Sequence, residues 1–467
     1  MKRPYVILLA AAAALSSCAV GPNYKRPAIA APDQFRGADA PASPLSLADT
    51  KWFDLFQDDT LKQHVSTALE RNFDVRIAAE RVLQARAQLV GARADLFPSI
   101  DANGSFTANR GSSAGSIIFV PRGTNLDVSY TRAGFTLSWE LDVWGRLRRL
   151  NEAARAQFLA SEEARNGVIT TLVSDVTATY FALRELDLEL EIAKKTRTLA
   201  EDGIRLTNLR HDQGAATGLD VRQAEQFLYT ATSQIASIER DIAQTENALS
   251  LLLGGAPGDI ARGRPLVDFK APPQVPPGLP SSLLERRPDI RQAERTLIAA
   301  NAYIGAAKAQ YFPRISLTSL LGGESRALTD LFTGPARSWN FVSGATAPIF
   351  NAGRIRSRVQ LSEAQQREAA ITYDKTIQNA FREVSDGLIG YRKTVEQRAQ
   401  QELLVNAVRE TERLSNLRYK GGLDSYLQVL DAERNLFREE LALAKLRRQE
   451  LVSVVQLYRA LGGGWSI

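Results

Sequence analysis

The stretch Arg205-Leu-Thr-Asn-Leu-Arg210 returns as Arg413-Leu-Ser-Asn-Leu-Arg418, and this recurrence decides the fold of the 467-residue chain. The offset of 208 residues (413 − 205) holds without a gap to Leu253-Gly254-Gly255 and its counterpart Leu461-Gly462-Gly463. Self-similarity over such a length indicates a duplicated structural unit. The chain is therefore predicted to contain two tandem repeats of one architecture.

Each repeat contains a long stretch without proline, Leu147 to Arg210 in the first and Ile355 to Arg418 in the second. Roughly 60 residues of helix would reach about 90 to 100 Å at 1.5 Å per residue, far more than a normal domain. Apolar residues recur every seven positions between Leu430 and Tyr458, which is typical of helices packed as coiled coils. Independent amphipathic helices of a plain bundle fit the same pattern.

The predicted boundaries follow from these patterns and from the Phe-Pro pairs that end the first helix of each repeat. After an extended N-terminal segment, 18–60, the first repeat spans 61–270, with a helix from Leu61 to Ala94, strands 99–109 and 131–143, and a helical hairpin 147–253. A proline-rich connector, 271–280, leads to the second repeat, 281–467, with a helix, strands 314–321 and 339–349, and a hairpin 355–461.

The second predicted strand alternates most regularly between apolar and polar residues. Its apolar positions are Ala133, Phe135, Leu137, Trp139, Leu141 and Val143. This length and dyad pattern are typical of a strand that crosses an outer membrane, with lipid on one side and a wet lumen on the other. A half-buried strand of a soluble sandwich shows the same alternation.

The N-terminus favours the membrane alternative. Lys2 and Arg3 precede an apolar run from Tyr5 to Leu15, as in a secretory signal, and Leu15-Ser-Ser-Cys18 then ends in the only cysteine of the chain. Residues 1–17 are predicted to be a signal peptide and Cys18 the site of lipid attachment, although an ordinary signal followed by a chance cysteine would look alike. Ala19 at the second mature position resembles an outer-membrane address, since an acidic residue there tends to retain such lipoproteins in the inner membrane.

Together these observations predict a mixed fold of a membrane β-barrel and a long α-helical barrel. Four strands cannot close a barrel, and open sheet edges are not tolerated in lipid, so several chains must contribute to one barrel.

Composition argues against nucleic-acid binding and against catalysis. The net charge of +6 includes Lys2 and Arg3 and is too small an excess for a nucleic-acid-binding protein. The two histidines, His64 and His211, stand in neither metal-ligand nor catalytic-triad spacing. We therefore predict no enzyme activity, no metal site and no cofactor.

Several further motifs match a known family over nearly the whole chain. They are Cys18-Ala-Val-Gly-Pro-Asn-Tyr-Lys-Arg-Pro27, Trp52-Phe53 with Phe56, Asp58 and Leu61, Leu284-Glu-Arg-Arg-Pro-Asp-Ile290, and the twinned glycine-centred turns. With them the chain resembles the TolC-like outer membrane efflux proteins, in particular the lipoprotein branch (NodT/OprM-like outer membrane factors) that serves resistance-nodulation-division (RND) pumps.

The resemblance implies a homotrimer in the outer membrane, with twelve strands in one barrel and a helical tunnel in the periplasm. It implies a passive exit duct of a tripartite efflux pump, which receives drugs or other small toxic compounds from a periplasmic adaptor and an inner-membrane RND transporter. Two alternatives are an exit duct for type I protein secretion and a lipid-anchored coiled-coil spacer, which would need no membrane strands.

The resemblance also places a gate just after the turn of the second hairpin, at Leu427 and Asp431. Their i, i+4 spacing puts both on one helical face, so three copies would stack an apolar ring and a carboxylate ring. Alternatively, Leu427 is a heptad core residue and Asp431 a first-turn acid favoured by the helix dipole.

The tips of the two hairpins, Gly214-Ala215 and Gly422-Leu423, are where the resemblance places adaptor docking. The glycines alone are explained by the backbone freedom that such a turn needs. Beside the second tip, Ser425 and Gln428 fit a capping box. Asp424 stands where some relatives have an arginine that locks the tip. Asp220 is expected to face either Arg210 or Arg418, and the sequence does not decide between them.

Overall fold

A computed structural model describes residues 19–29, 31–38, 46–51, 55–112, 125–271 and 275–464. Three predicted features lie outside the described residues: the signal segment 1–17, Cys18 and the pair Trp52-Phe53.

The described residues form eight α-helices and four β-strands. The helices are α1 (Asp59–Arg71), α2 (Phe73–Ala94), α3 (Arg146–Asp212), α4 (Gly218–Leu252), α5 (Leu283–Arg286), α6 (Pro288–Lys308), α7 (Arg354–Lys420) and α8 (Tyr426–Ala460). The strands are β1 (Ser99–Arg110), β2 (Asp127–Leu141), β3 (Arg314–Ser325) and β4 (Arg337–Thr346).

The long helices reproduce the duplication seen in the sequence. Helices α3 and α7 each contain 67 residues, and α4 and α8 each contain 35. At 1.5 Å per residue the longer pair is about 100 Å long. The bounds of α3 and α4 recur in α7 and α8 at the 208-residue offset, so the repeat extends from sequence to backbone.

The stretch predicted as one helix from Leu61 to Ala94 forms two helices instead, because Asn72 interrupts it. Asn72 leaves the helical region with a ψ of 135°. Its side-chain Oδ1 accepts hydrogen bonds from the backbone N–H groups of Asp74 and Val75, at 2.8 and 3.2 Å, and so caps α2. Its Nδ2 donates to the Leu252 carbonyl at 2.9 Å, which ties this break to the end of α4.

The strands form one antiparallel sheet in the order β1-β2-β3-β4. Register places Ala102, Phe135, Leu321 and Trp339 in one row across the four strands. The other face carries polar rows such as Asn103, Gly134, Gly322 and Ser338. Because side chains alternate along a strand, the sheet has one mainly apolar and one mainly polar face.

Two strands end earlier than the sequence pattern predicted. Strand β2 stops at Leu141 because the carboxylate of Asp142 accepts the N–H groups of Leu147 and Arg148, at 2.9 and 2.8 Å, and so caps α3. Strand β4 stops at Thr346, before a proline at position 348 that has no N–H to donate to the sheet.

The described chain divides into two compact units. One contains the sheet, the N-terminal residues up to 27, and segments Leu83–Ala160 and Glu294–Thr372; alanines 153, 156, 299 and 302 form a close-packed core in it. The other contains Ala28–Val82, Ser161–Ala293 and the residues from Tyr373 onward, including both hairpin turns. Among the described residues, no helix has the combined length and apolarity of a membrane-spanning helix.

Candidate functional site at the hairpin tips

The two long hairpins end in turns of the same geometry. Gly214 and Gly422 both have a φ of +73°, which residues with a Cβ rarely adopt. In the second turn, the Gly422 N–H donates to the Tyr419 carbonyl at 3.0 Å, and the Leu423 N–H donates to the Arg418 carbonyl at 2.9 Å. The first turn makes the equivalent bonds, so both are Schellman motifs that satisfy the last carbonyls of a long helix.

All four predicted docking residues lie at the surface of the protomer. A Cβ added at Gly214 or Gly422 would meet no atom within 4 Å. Ala215 is exposed, and the side chain of Leu423 is 70% exposed. The tips therefore offer an accessible surface.

The second helix of each hairpin starts differently. In the first hairpin, Thr217 Oγ1 accepts the Asp220 N–H at 3.2 Å while the Asp220 carboxylate accepts the Thr217 N–H at 2.8 Å. In the second hairpin, the Ser425 side chain makes no capping bond. The predicted capping box of Ser425 and Gln428 is therefore wrong. A neutral amide at 428 is a weaker partner for a backbone N–H than the carboxylate of Asp220.

Two arginines at equivalent repeat positions have different partners. Arg418 binds Asp424 within its own turn, with Nε 2.6 Å from Oδ2. This hydrogen bond holds the pKa of the Asp424 carboxyl below its ordinary value. Asp424 is thus the acidic partner in an ion pair within the turn. Asp220 faces neither Arg210 nor Arg418, because its carboxylate caps α4.

Arg210 links the first hairpin to the second. Its Nη1 and Nη2 each lie 3.2 Å from the Tyr419 carbonyl oxygen, and Nη2 lies 3.4 Å from that of Lys420. Its guanidinium carbon is 4.1 Å from the centre of the Tyr419 ring, which is within the range of a cation–π contact. Arg210 therefore places a positive charge at the negative C-terminal end of α7.

A buried cluster beneath the turns joins the two hairpins. Its members come from α3, α4, α7 and α8: Ala200, Ala224, Phe227, Tyr419, Tyr426, Val429 and Leu430. The rings of Tyr419 and Tyr426 have centroids 5.5 Å apart. Burial raises the pKa of the Tyr426 hydroxyl above its ordinary value.

Leu427 and Asp431 lie on the opposite side of α8 from this cluster. Leu427 is 49% exposed, whereas Val429 and Leu430 are almost completely buried. Asp431 is exposed, and its Oδ2 accepts a hydrogen bond from Asn435 Nδ2 at 3.2 Å. The protomer fits neither of the two structural alternatives. Leu427 is not a core residue, and Asp431 is not a first-turn acid, because α8 has no acidic residue in its first turn.

A further titratable group lies deeper in the second hairpin and was missed in the sequence. Glu433 on α8 faces Glu412 on α7, and burial together with that second carboxylate raises the pKa of Glu433 to about 7. Its Oε2 accepts no hydrogen bond from the described residues. A comparison of the two repeats contains a signal for this pair. Glu433 has Glu225 as its counterpart in the first repeat, but Glu412 stands where the first repeat has the apolar Ile204.

The role of Arg210 as a bridge between the hairpins was also missed, because repeat positions suggest equal partners and its counterpart Arg418 binds Asp424 within its own turn.

Within the described ranges, no three His, Cys, Asp or Glu side chains converge in a group that could hold a metal ion.

Comparison with known proteins places nearly the whole chain in one group. The family model described as outer membrane efflux protein matches residues 64–255 and 279–463, which are the two repeats. The described strands and long helices also fit a solved channel, the open state of the Neisseria gonorrhoeae outer membrane channel MtrE. The match has a TM-score of 0.85 at 30% identity and covers 96% of this chain and 99% of that one.

Curated relatives match at similar coverage. The solvent efflux pump outer membrane protein SrpC of Pseudomonas putida is 39% identical over 459 residues, covering 97% of both chains. The probable outer membrane lipoprotein SilC of Salmonella typhimurium is 36% identical over 458 residues, covering 97% of this chain and 96% of that protein.

Proposed function

The chain belongs to the outer membrane efflux protein family, and from this premise we propose that three copies form an exit duct closed at the periplasmic tip by rings of Leu427 and Asp431. The protein is an outer membrane component of a tripartite efflux system. The observation that carries the proposed gate is the exposure of these two side chains on the one face of α8 that the protomer leaves uncovered. An apolar ring can dewet a constriction and a carboxylate ring can filter charge.

Two free sheet edges support assembly from several copies. Among the described residues, strands β1 and β4 each pair with one neighbouring strand, so each has one edge whose backbone groups bond to no other described strand. In a bilayer every such group needs a partner, and the edge strand of a second copy supplies one. We propose that three four-stranded sheets join edge to edge into one closed sheet with the apolar faces toward lipid.

The position of Ala19 supports lipid attachment at Cys18. The Val20 N–H donates to the Trp144 carbonyl at 3.0 Å, so the chain start lies beside the end of β2. Gly145 makes room for it, because a Cβ there would lie 2.8 Å from the Ala19 Cα. An acyl group on the preceding residue would start at the end of the apolar sheet face, where it can enter the membrane that the strands span.

The docking partner proposed for the tips is the periplasmic adaptor, which connects the duct to an inner-membrane RND transporter. Transport through the duct is then passive, and the protein needs no cofactor and catalyses no reaction. The cargo is small compounds delivered by the pump. The relative SrpC is an outer membrane protein of a solvent efflux pump.

Adaptor docking predicts a specific effect of Gly422→Arg. The Cβ has free space, so the tip can hold the long side chain, at a backbone cost of about 1–3 kcal/mol for the positive φ. We expect loss of drug efflux in cells with an unchanged amount of trimer in the outer membrane. Gly422→Ala has the same backbone cost without the bulk and should retain efflux; equal loss of efflux in both variants would assign the glycine a structural role alone.

Single-channel conductance in planar bilayers tests the gate. The variant carries Leu427→Ala and Asp431→Ala, and we expect a small wild-type conductance to rise severalfold because both rings are removed. The matched control carries Leu219→Ala and Gln223→Ala, the equivalent positions of α4, and should conduct like the wild type. A control that opens as widely as the variant, or a variant that conducts like the wild type, would place the constriction elsewhere.

A further inference from the structure

A groove crosses the apolar face of the sheet near the β3–β4 connection. Phe135, Leu321 and Trp339 form one wall, in adjacent register positions of β2, β3 and β4. Leu331 and Phe332, from the connection itself, form the other. The cavity between them has a volume of about 850 Å³.

Small residues form the floor of this groove. Gly104, Ala133 and Gly323 occupy the next row across β1, β2 and β3. The β3–β4 connection folds closely onto that row, because a Cβ at Gly323 would lie 2.3 Å from the Leu331 carbonyl oxygen. Leu331 is consequently buried, while Phe332 is 87% exposed and Trp339 is 77% exposed. The groove is thus a depression of fixed shape lined by exposed aromatic rings.

Among the described residues that line the groove, only Arg337 carries a charge. It is the first residue of β4 and shares the floor row with Gly323. Its side chain pairs with no carboxylate in the described part of the chain. An apolar trough with one cation at its end complements an amphiphile that has acyl chains and an anionic head.

The groove lies at the end of the sheet away from the helices. Helices α2 and α6 end just before β1 and β3 begin, and α3 and α7 start just after β2 and β4 end. The β3–β4 connection is therefore at the opposite end of the strands. If the helices are periplasmic, as the proposed function requires, this end meets the outer leaflet.

We propose that the groove binds the phosphorylated, multiply acylated glycolipid of the outer leaflet, with an acyl chain in the trough and a phosphate on Arg337. The assignment rests on the proposed function, because that function sets the orientation of the sheet. An arginine is suited to this contact, since its planar guanidinium binds phosphate in a bidentate manner. The aromatic rings of Phe332 and Trp339 pack against acyl chains at the membrane interface, where such side chains are enriched.

Native mass spectrometry of the purified trimer in a zwitterionic detergent tests this proposal. The probes are bisphosphorylated lipid A, its dephosphorylated form, phosphatidylglycerol and phosphatidylethanolamine. Wild-type protein should retain lipid A most strongly, and Arg337→Gln should weaken that binding about tenfold, as expected for loss of one charge-assisted contact. Arg110→Gln is the control, because Arg110 lies on the same face beside Asp127 and outside the groove.

A second variant blocks the trough without touching the charge. Gly104→Leu places a side chain where a Cβ meets no atom within 4 Å, so the strand can hold it. We expect it to reduce lipid A binding while the trimer stays intact. Together, the two variants separate the phosphate contact from the acyl contact.

Three results would overturn the proposal: no preference for lipid A over phosphatidylethanolamine, equal binding by Arg337→Gln and Arg110→Gln, or a preference for phosphatidylglycerol over lipid A. Conductance measured on the same preparation separates this failure from that of the duct. A conducting trimer without lipid A preference contradicts the groove alone, whereas a preparation that neither inserts nor conducts contradicts the duct on which the groove rests.

Discussion

The carboxyl group of Glu433 lies inside the second hairpin and makes the stability of that hairpin depend on pH. Glu412 faces it from α7 and raises its pKa, whereas a hydrogen bond from Asn416, which also donates to Glu412, lowers it. Tyr426 on α8 is a further titratable neighbour. The pKa of Glu433 is raised from 4.5 to about 7, so the folded hairpin holds a proton that the unfolded chain releases. Stability then falls as pH rises from about 4.5 to about 7 and changes no further above that.

We expect Glu433→Gln to remove this slope. At pH 8 it should stabilise the hairpin by on the order of 1–3 kcal/mol per protomer, because the variant buries no charge. At pH 4.5 it should match the wild type. Thermal unfolding followed by helical circular dichroism at both pH values measures this, with Glu225→Gln as control, since Glu225 pairs with Arg222 at the surface. If the wild-type unfolding temperature instead rose between pH 4.5 and 7 relative to that of Glu433→Gln, the raised pKa of Glu433 would be contradicted.

Arg210 gives a second prediction for a single residue. Arg210→Gln removes the charge over Tyr419 and at the end of α7, so we expect the second hairpin to loosen and channel openings to become more frequent. Single-channel recordings measure the open probability. Arg222→Gln loses only a surface pair and should behave like the wild type; an unchanged open probability in Arg210→Gln would mean that the bridge carries no part of closure.

The equivalent helices α4 and α8 allow the contribution of N-terminal capping to be compared, because only α4 has a side-chain cap. Thr217→Ala removes a capping bond and should destabilise the first turn of α4 by about 1 kcal/mol. Ser425→Ala removes a side chain that makes no such bond and should change the first turn of α8 little. Hydrogen exchange of the first-turn amides gives both values. Equal protection losses in the two variants would show that Ser425 caps its helix in solution.

Elements were predictable from sequence where one strong pattern acts alone. The proline-free runs place α3 and α7, and the dyad alternation places most of β2, because backbone geometry and periodicity suffice there. The residues at which helices and strands end were harder to predict from the sequence. Asn72 and Asp142 end an element by side-chain bonds to a backbone that the chain must first bring close, and nothing in the local pattern separates them from ordinary polar residues.

At the scale of the whole molecule, duplication preserved the backbone while the pairings diverged. Both turns are Schellman motifs, yet Arg418 binds its own Asp424 and Arg210 crosses to the other hairpin. A sequence repeat predicts shared geometry, because glycine at the turn constrains φ in both copies. It does not predict side-chain partners, because a single substitution such as Ala216 against Asp424 redirects an arginine.

The two faces of the sheet give the last prediction, which concerns the molecule in its membrane. Phe341 and Val342 are consecutive in β4, are 60% and 53% exposed in the protomer, and lie on the apolar and the polar face respectively. A soluble sheet would tolerate lysine at either position. In a closed trimeric sheet, Phe341→Lys places a charge in lipid at a cost of about 2–4 kcal/mol per protomer near the midplane, whereas Val342→Lys faces a wet lumen. We expect the first variant to lose trimer from outer-membrane fractions and the second to keep it, and equal recovery of both would place lipid on neither face.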